Sequence, residues 1–242
     1  MATKTLTENI NQAISDLNSV KQALIDKGVE IPSGTKTSEY GAKISEIQSG
    51  GGGESEKGFV PTETNADGFP TKGILKGMTT VPDRYFCGQG NDLSYHFTSM
   101  KDIAFEKPIT TIGASGFYYC KALALKSLPD TITTIGKSAF SGCNSLVLAY
   151  LPSNLTTIEY AAFSQCSKLA LTSLPDGLTS IGDKAFYYCS KLTTLSIGSA
   201  ITSIGTNVFQ YSGLTSLTIN KPEGSISGSP WGATKATIYW TG

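Results

Sequence analysis

Charge is scarce in this 242-residue chain: Asp, Glu, Lys and Arg make up only 16% of it, against roughly a quarter in ordinary globular proteins. The 19 basic and 19 acidic residues cancel, and Arg84 is the sole arginine. A nucleic-acid ligand needs a clustered basic face, so no nucleic-acid partner is expected. Long apolar runs are missing too. The longest, Leu146–Leu151, falls far short of the ~20 residues of a membrane helix, and no membrane insertion is expected. The opening MATKTLTENI lacks the apolar segment of a secretory signal, and a chain beginning at Met1 is expected to have carried none. Histidine occurs once, at His96, which excludes a multi-histidine metal centre and leaves a Ser-His-Asp triad a single possible base. Asp92 and Ser94 stand beside it in NDLSYHFTSM. Neighbours along one strand do not converge as a triad does, and no nucleophile-elbow pattern accompanies them. The expectation is a protein that is not an enzyme and that takes no metal or cofactor.

What the chain has in abundance is glycine, 26 in all, with many serines and threonines, a composition that favours strands and turns. It also has a repeat. Ile112, Ile135, Ile158, Ile181 and Ile204 follow one another at intervals of 23 residues. Five positions after each stands Phe117, Phe140, Phe163, Phe186 or Phe209, and three further on Cys120, Cys143, Cys166, Cys189 and, in the last copy, Ser212. An apolar segment follows, from Leu123–Leu128 in the first unit to Leu214–Ile219 in the last, where one residue is deleted. A fixed period in the twenties is the signature of a solenoid, whose coils bury their apolar faces only by stacking on one another. Ile, Phe, Cys and Leu then recur because each fills the same inward position in successive coils. Segments such as KLTTLSI and LTSIG suit strands, PDG suits a turn, and DKAFYYC suits one turn of helix. Two short strands and a helical turn per coil are expected.

A diverged copy precedes the array, with Val81 and Phe86 in VPDRYFCG keeping the five-residue offset. Its interval to Ile112 is 31 residues, eight more than the period. Terminal coils are often atypical because they close an open core and sheet edge, and ATIYW, Ala236 to Trp240, is expected to close the other end as a strand. Trp231 and Trp240 read as packing in that cap.

The cysteine ladder admits more than one reading. Stacked coils would set these residues roughly 5 Å apart, within the Cα range of a disulfide. They share the period of the core residues, however, and cysteine is a good small buried hydrophobe. Free core thiols are the favoured expectation. Metal binding is the least favoured, because Cys-x-x-Cys pairs are missing.

The positions after each anchor phenylalanine vary most: Tyr118-Tyr119, Ser141-Gly142, Ser164-Gln165, Tyr187-Tyr188 and Gln210-Tyr211. Variation among otherwise alike coils marks a face that the core does not dictate. Tyr118, Tyr119, Tyr187, Tyr188 and Tyr211 are therefore the candidate contact surface for a sugar or a protein, since tyrosine offers rigid area with a polar tip. The competing reading has these rings packing over the turns to seal the core. Asn154 heads an N-linked glycosylation sequon, NLT, without meaning in a bacterial setting.

The unit LPxxLTSIGxxAFxxCxxL resembles the BspA-type leucine-rich repeats of bacterial and protist surface proteins, over roughly residues 78–220. That resemblance implies a solenoid with a tendency to bind surfaces or proteins, and no enzyme. The fold class expected is mostly β with short helices, a 23-residue leucine-rich-repeat solenoid preceded by a small α-helical N-terminal module.

In that module Thr5 and Glu8 form a capping box and Gly28 a stop signal, predicting a helix from about Leu6 to Lys27. Ile10, Ala13, Leu17, Val20 and Leu24 alternate spacings of three and four, the a/d pattern of a coiled-coil seam. A second short helix near Ser38 to Gln48 allows a self-closed hairpin instead, and the two readings stand level. The segment from INQAISDLNSV to AKISEI and the ending SPWGATKATIYW resemble the termini of structural proteins from phages of Gram-positive bacteria. That resemblance implies a tail, baseplate or fibre component, assembled in the host cytoplasm and located in the virion, with bacterial cell-surface exposure as the alternative. The partners implied are other virion proteins through the N-terminal module, a host-surface glycan or protein, and sister chains in a homo-oligomer, a trimer being typical of fibres. The expected organisation is residues 1–49 as an oligomerisation or docking module, 50–58 as a Gly-rich linker, 59–111 as a cap and irregular first repeat, 112–220 as regular repeats and 221–242 as a C-terminal cap strand.

Overall fold

The computed structural model describes residues 58–66, 69–86 and 97–242. The expected N-terminal helices, with the seam Ile10, Ala13, Leu17, Val20 and Leu24, lie outside the described residues, as do most of the Gly-rich linker, Cys87 and His96.

The chain forms a β-solenoid of about six coils. Each coil contributes a two-residue strand made of a Thr or Ser and the anchor residue: β3 (Thr80–Val81), β5 (Thr111–Ile112), β6 (Thr134–Ile135), β7 (Thr157–Ile158), β8 (Ser180–Ile181) and β10 (Ser203–Ile204). They pair in parallel into one six-stranded sheet whose order follows the chain. Anchor meets anchor in every pair, from Val81 against Ile112 to Ile204 against Ile181. The β-branched anchors point inward and are buried, while threonine hydroxyls on the outside climb the stack. Thr156, Thr179 and Thr202 Oγ1 each donate to the carbonyl of the threonine one coil earlier.

Inside, the phenylalanines form one column. Phe86, Phe117, Phe140, Phe163, Phe186 and Phe209 stack face to face at 4.9 to 5.9 Å between centroids, planes within 9° of parallel. That spacing begins at the strand-to-strand distance of a sheet, about 4.8 Å, and widens toward the C-terminal coils. From Phe117 onward the constant 23-residue period keeps each ring over the last, and the eight extra residues between Phe86 and Phe117 leave that pair stacked as well.

The turn that carries each phenylalanine is not the short helix expected, and no α-helix occurs among the described residues. Two backbone features break it. Left-handed residues recur at the third position after each anchor (Ser115, Ser138, Ala161, Lys184, Asn207) and at the seventh (Tyr119, Gly142, Gln165, Tyr188, Tyr211). In addition, alternate N–H groups leave the coil: Ser115, Phe117 and Tyr119 donate to Lys137, Ala139 and Ser141 of the next one. A helix directs all its N–H groups along its own axis, whereas here half of them hold the stack together.

The second strand expected in every coil forms only late. β9 (Thr194–Ile197) and β11 (Ser216–Ile219) pair in parallel and continue into β12 (Thr237–Trp240), so the closing segment ATIYW does form a strand. In the earlier coils the same segment ends at Pro129, Pro152 or Pro175, which have no N–H to give a ladder. Gly198 and Asn220 stand there in the later coils, and the Asn220 N–H donates to the Ile197 carbonyl.

At the N-terminal end β1 (Gly58–Thr64) and β2 (Pro70–Lys76) form an antiparallel hairpin, and β4 (Asp102–Phe105) joins β2 in parallel. Phe59 and Phe97 meet Phe86 and each other edge-on at 5.1 to 5.5 Å, which ends the column with rings it cannot continue through. The Tyr85 hydroxyl accepts the Phe59 N–H. At the other end Trp231, only 2% exposed, takes the place of Ala185 and Val208 in earlier coils. Its indole Nε1 donates to the Ser227 carbonyl, and its ring meets that of Trp240.

Candidate functional site

Beside the phenylalanine column runs the cysteine ladder, and its chemistry is structural. Cys120, Cys143, Cys166 and Cys189 are buried, and the last three are free thiols. Each Sγ donates to the carbonyl of the phenylalanine one coil earlier, Phe86, Phe117, Phe140 and Phe163, at 3.0 to 3.2 Å. The carbonyls of Phe117, Phe140 and Phe163 also accept the N–H of Cys120, Cys143 and Cys166 in their own coils, so the thiol fills the second lone pair of a buried acceptor. A thiol thus meets two needs at once, apolar volume and a weak donor. Ser212, in the same column, instead turns back to the Phe209 carbonyl of its own coil. Burial raises the Cys143 and Cys166 thiols well above their ordinary value and the Cys189 thiol to about 12, so none of the three is a nucleophile at neutral pH. No group of three His, Cys, Asp or Glu residues suited to a metal occurs among the described residues.

The tyrosines are different. Tyr119, Tyr188 and Tyr211 have φ of 59°, 58° and 58°, in the left-handed region that costs an ordinary L-residue about 1 kcal/mol or more. Gly142 occupies the same column at φ 78° without that penalty. At these positions Tyr188 and Tyr211 stand outward, 48% and 57% exposed.

The five candidate tyrosines fall into two groups. Tyr118 and Tyr119 touch at 4.6 Å between centroids. Tyr119 leans over Gly142: a Cβ built on that glycine would lie 2.8 Å from the Tyr119 ring. The Tyr119 ring thus roofs the next coil. Tyr187, Tyr188 and Tyr211 form the second group, a triangle of rings with centroids 4.6, 4.7 and 5.4 Å apart. Partial burial first, then the neighbouring Tyr188 and Tyr211 hydroxyls, raises the Tyr187 phenol above its ordinary value. Between the groups lie two coils with Ser141-Gly142 and Ser164-Gln165, so the tyrosines do not make one continuous strip.

Lysines escaped notice in the sequence although they belong to this face. Lys121 Nζ sits 5.4 Å from the Tyr119 centroid and Lys184 Nζ 5.9 Å from that of Tyr187, each a cation placed on a ring face. Both pairs lie within a single coil, so it is the conformation of the turn that makes these short sequence offsets into contacts. The exposed Tyr150 and Tyr160 also lie outside the variable pairs and gave no signal by that criterion. Lys137 covers the Tyr160 ring at 5.4 Å.

Residues 90–218 match the BspA type leucine rich repeat region family in six copies. Among solved structures, the chain is similar to a leucine rich cell surface protein from Faecalibacterium prausnitzii, with 22% identity and a TM-score of 0.55, over 76% of this chain and 52% of that one. It is also similar to a leucine-rich repeat protein from Eubacterium ventriosum, with 19% identity and a TM-score of 0.50, over 62% and 40%. A Treponema pallidum leucine-rich repeat protein matches with 23% identity and a TM-score of 0.49, over 74% and 82%. The chain thus spans about half, or less, of the first and second of these structures. No curated protein matches it. With the family match covering more than half of the sequence and the coils stacked as its period requires, the chain belongs to the BspA-type leucine-rich-repeat family.

Proposed function

We propose that this chain is a non-enzymatic attachment scaffold, in which the rigid solenoid presents the Tyr187–Tyr188–Tyr211 cluster to a glycan or protein on a host surface. The observation that carries this reading is the placement of bulky tyrosines at left-handed positions. A column in which Gly142 is the relaxed choice holds tyrosine in three of five coils, at a conformational cost, and strain of this kind gathers where function needs a side chain presented. Two of those three rings are about half exposed, with a lysine at the edge of the cluster. Rigid aromatics beside a cation suit recognition rather than catalysis.

The scaffold is carried on a phage particle in this reading, docked or trimerised through residues 1–49, as the resemblance of both ends to virion proteins implies. A bacterial cell-surface adhesin is the second reading, favoured by the likeness to a leucine rich cell surface protein. Immunogold labelling separates them: label on released particles supports the virion, label on washed producer cells the adhesin.

Attachment itself is tested by flow cytometry of fluorescent full-length chain on Gram-positive cells, beside the Tyr188→Gly/Tyr211→Gly variant. Relief of the left-handed strain roughly offsets the loss of ring stacking, so stability changes by less than about 1 kcal/mol. Cell binding should fall at least tenfold. Undiminished binding by the variant would refute the tyrosine site.

A further inference from the structure

A cleft of about 570 Å³ opens in the other wall of the coils, where the leucine-rich segments run into the Pro-Asp turns. Its lining includes Tyr150, Asp130, Asp176 and the serines Ser153, Ser173 and Ser196. These residues come from four successive coils. The cleft forms where the proline column ends, since Gly198 follows Pro129, Pro152 and Pro175 in that register. A Cβ on Gly198 would lie 3.0 Å from both Cα and Oδ1 of Asp176, so the glycine lets this carboxylate lie against the neighbouring coil.

Tyr150 is the anomaly in the cleft. Its column reads Ser127, Tyr150, Ser173 and Ser196, short side chains that leave the ring 55% exposed. Nothing in the folding of the coil asks for an aromatic there. Around it stand two carboxylates and three serine hydroxyls. Asp130 Oδ1 accepts the Ser153 N–H at 2.9 Å, which tilts its carboxylate toward the coil of Tyr150. Asp176 lies two coils away from Asp130, roughly 10 Å along the stack, too far for the two to share a cation. The lining contains no lysine or arginine, and an anionic ligand would meet two carboxylates without a counter-charge.

We propose that this cleft is a second ligand site, separate from the tyrosine cluster, that holds a neutral oligosaccharide. The Tyr150 ring stacks on the apolar face of one sugar. Asp130 and Asp176 accept from sugar hydroxyls on either side of it, in charge-assisted bonds stronger than neutral ones. The serine hydroxyls supply adaptable donors and acceptors along the same line. This inference does not depend on the attachment role of Tyr187, Tyr188 and Tyr211, which lie on different turns.

The test is isothermal titration calorimetry of the full chain with maltohexaose, cellohexaose and chitohexaose, with oligogalacturonate as the acidic probe. At least one neutral hexasaccharide should saturate a single site with a Kd below about 1 mM. Tyr150→Ala should weaken it more than tenfold, Asp176→Asn about tenfold, and Tyr150→Phe hardly at all. The Tyr188→Gly/Tyr211→Gly variant should bind as the parent does, which separates this site from the attachment site. Circular dichroism melts show whether each variant remains folded, and Tyr150, being exposed, should tolerate both changes. The proposal is overturned if no neutral hexasaccharide saturates, if oligogalacturonate binds in preference, or if Tyr150→Ala and Asp176→Asn leave binding unchanged.

Discussion

Replacing Phe163 by alanine puts the stacked column to its most direct test. The ring is fully buried and lies 5.5 Å from Phe140 on one side and from Phe186 on the other. Truncating a buried phenylalanine typically costs about 3–5 kcal/mol. The substitution removes stacking on both faces of the ring, each worth about 0.5–1.5 kcal/mol, so the upper end, about 5 kcal/mol, is expected. A whole domain is stable by only about 5–15 kcal/mol. Since coils communicate only with their neighbours, a gap in the middle should also uncouple the two halves. Urea unfolding reads both effects. Trp231 and Trp240 are the only tryptophans and lie in the last turns, so their fluorescence follows the C-terminal coils while far-ultraviolet circular dichroism follows all of them. The two transitions should coincide in the parent chain and separate in Phe163→Ala. Phe209→Ala, which removes stacking on one face instead of two, should cost about 1 kcal/mol less. A loss below about 2 kcal/mol for Phe163→Ala with coincident transitions would refute the continuous column.

Three further outcomes are expected. The Cys189 thiol, lifted by burial from 9.0 to about 12, ionises in the unfolded chain before it can in the folded one. Its contribution is thus intact below the unfolded value and lost as pH rises from about 9 toward 12. Cys189→Ala should remove about 1.4 kcal/mol per pH unit from the alkaline slope of urea-derived stability, and an unchanged slope would count against the buried thiol. Gly142→Ala meets both a left-handed φ and the Tyr119 ring, and should cost about 1 kcal/mol for the first and more for the second. In a Tyr119→Ala background only the first cost should remain, and equal losses in both backgrounds, read by a double-mutant cycle, would mean that the ring does not roof that glycine. If the seam at Ile10, Leu17 and Leu24 assembles the chain, light scattering should find the full chain as a trimer and a version beginning at Gly58, the first residue of β1, as a monomer; two monomers would remove the seam as an assembly device and leave the hairpin or docking reading.

The order of amino acids was enough to dictate the period and hence the architecture. Ile112 to Ile204 and Phe117 to Phe209 could recur at a constant interval only if each filled the same place in stacked coils, because a solenoid converts spacing along the chain directly into alignment across it. Even the irregular copy at Val81 and Phe86 was legible, since its five-residue offset survives an eight-residue insertion. How each turn is made emerged only from the folded coils. DKAFYYC has the composition of a helical turn, but that expectation fails because residues such as Lys184 and Tyr188 go left-handed and alternate N–H groups bond to the next coil, a partner that local propensity does not contain. The same holds for the thiols, whose carbonyl acceptors lie one coil earlier, and for the second strand, which waits until the proline column ends. Sequence marked the tyrosine pairs as variable, but only stacking shows Tyr119 lying over Gly142 while Tyr188 and Tyr211 stand out into solvent. Tyr150 gave no sign of its cleft, because the residues around it come from four coils and meet only when those coils are laid side by side.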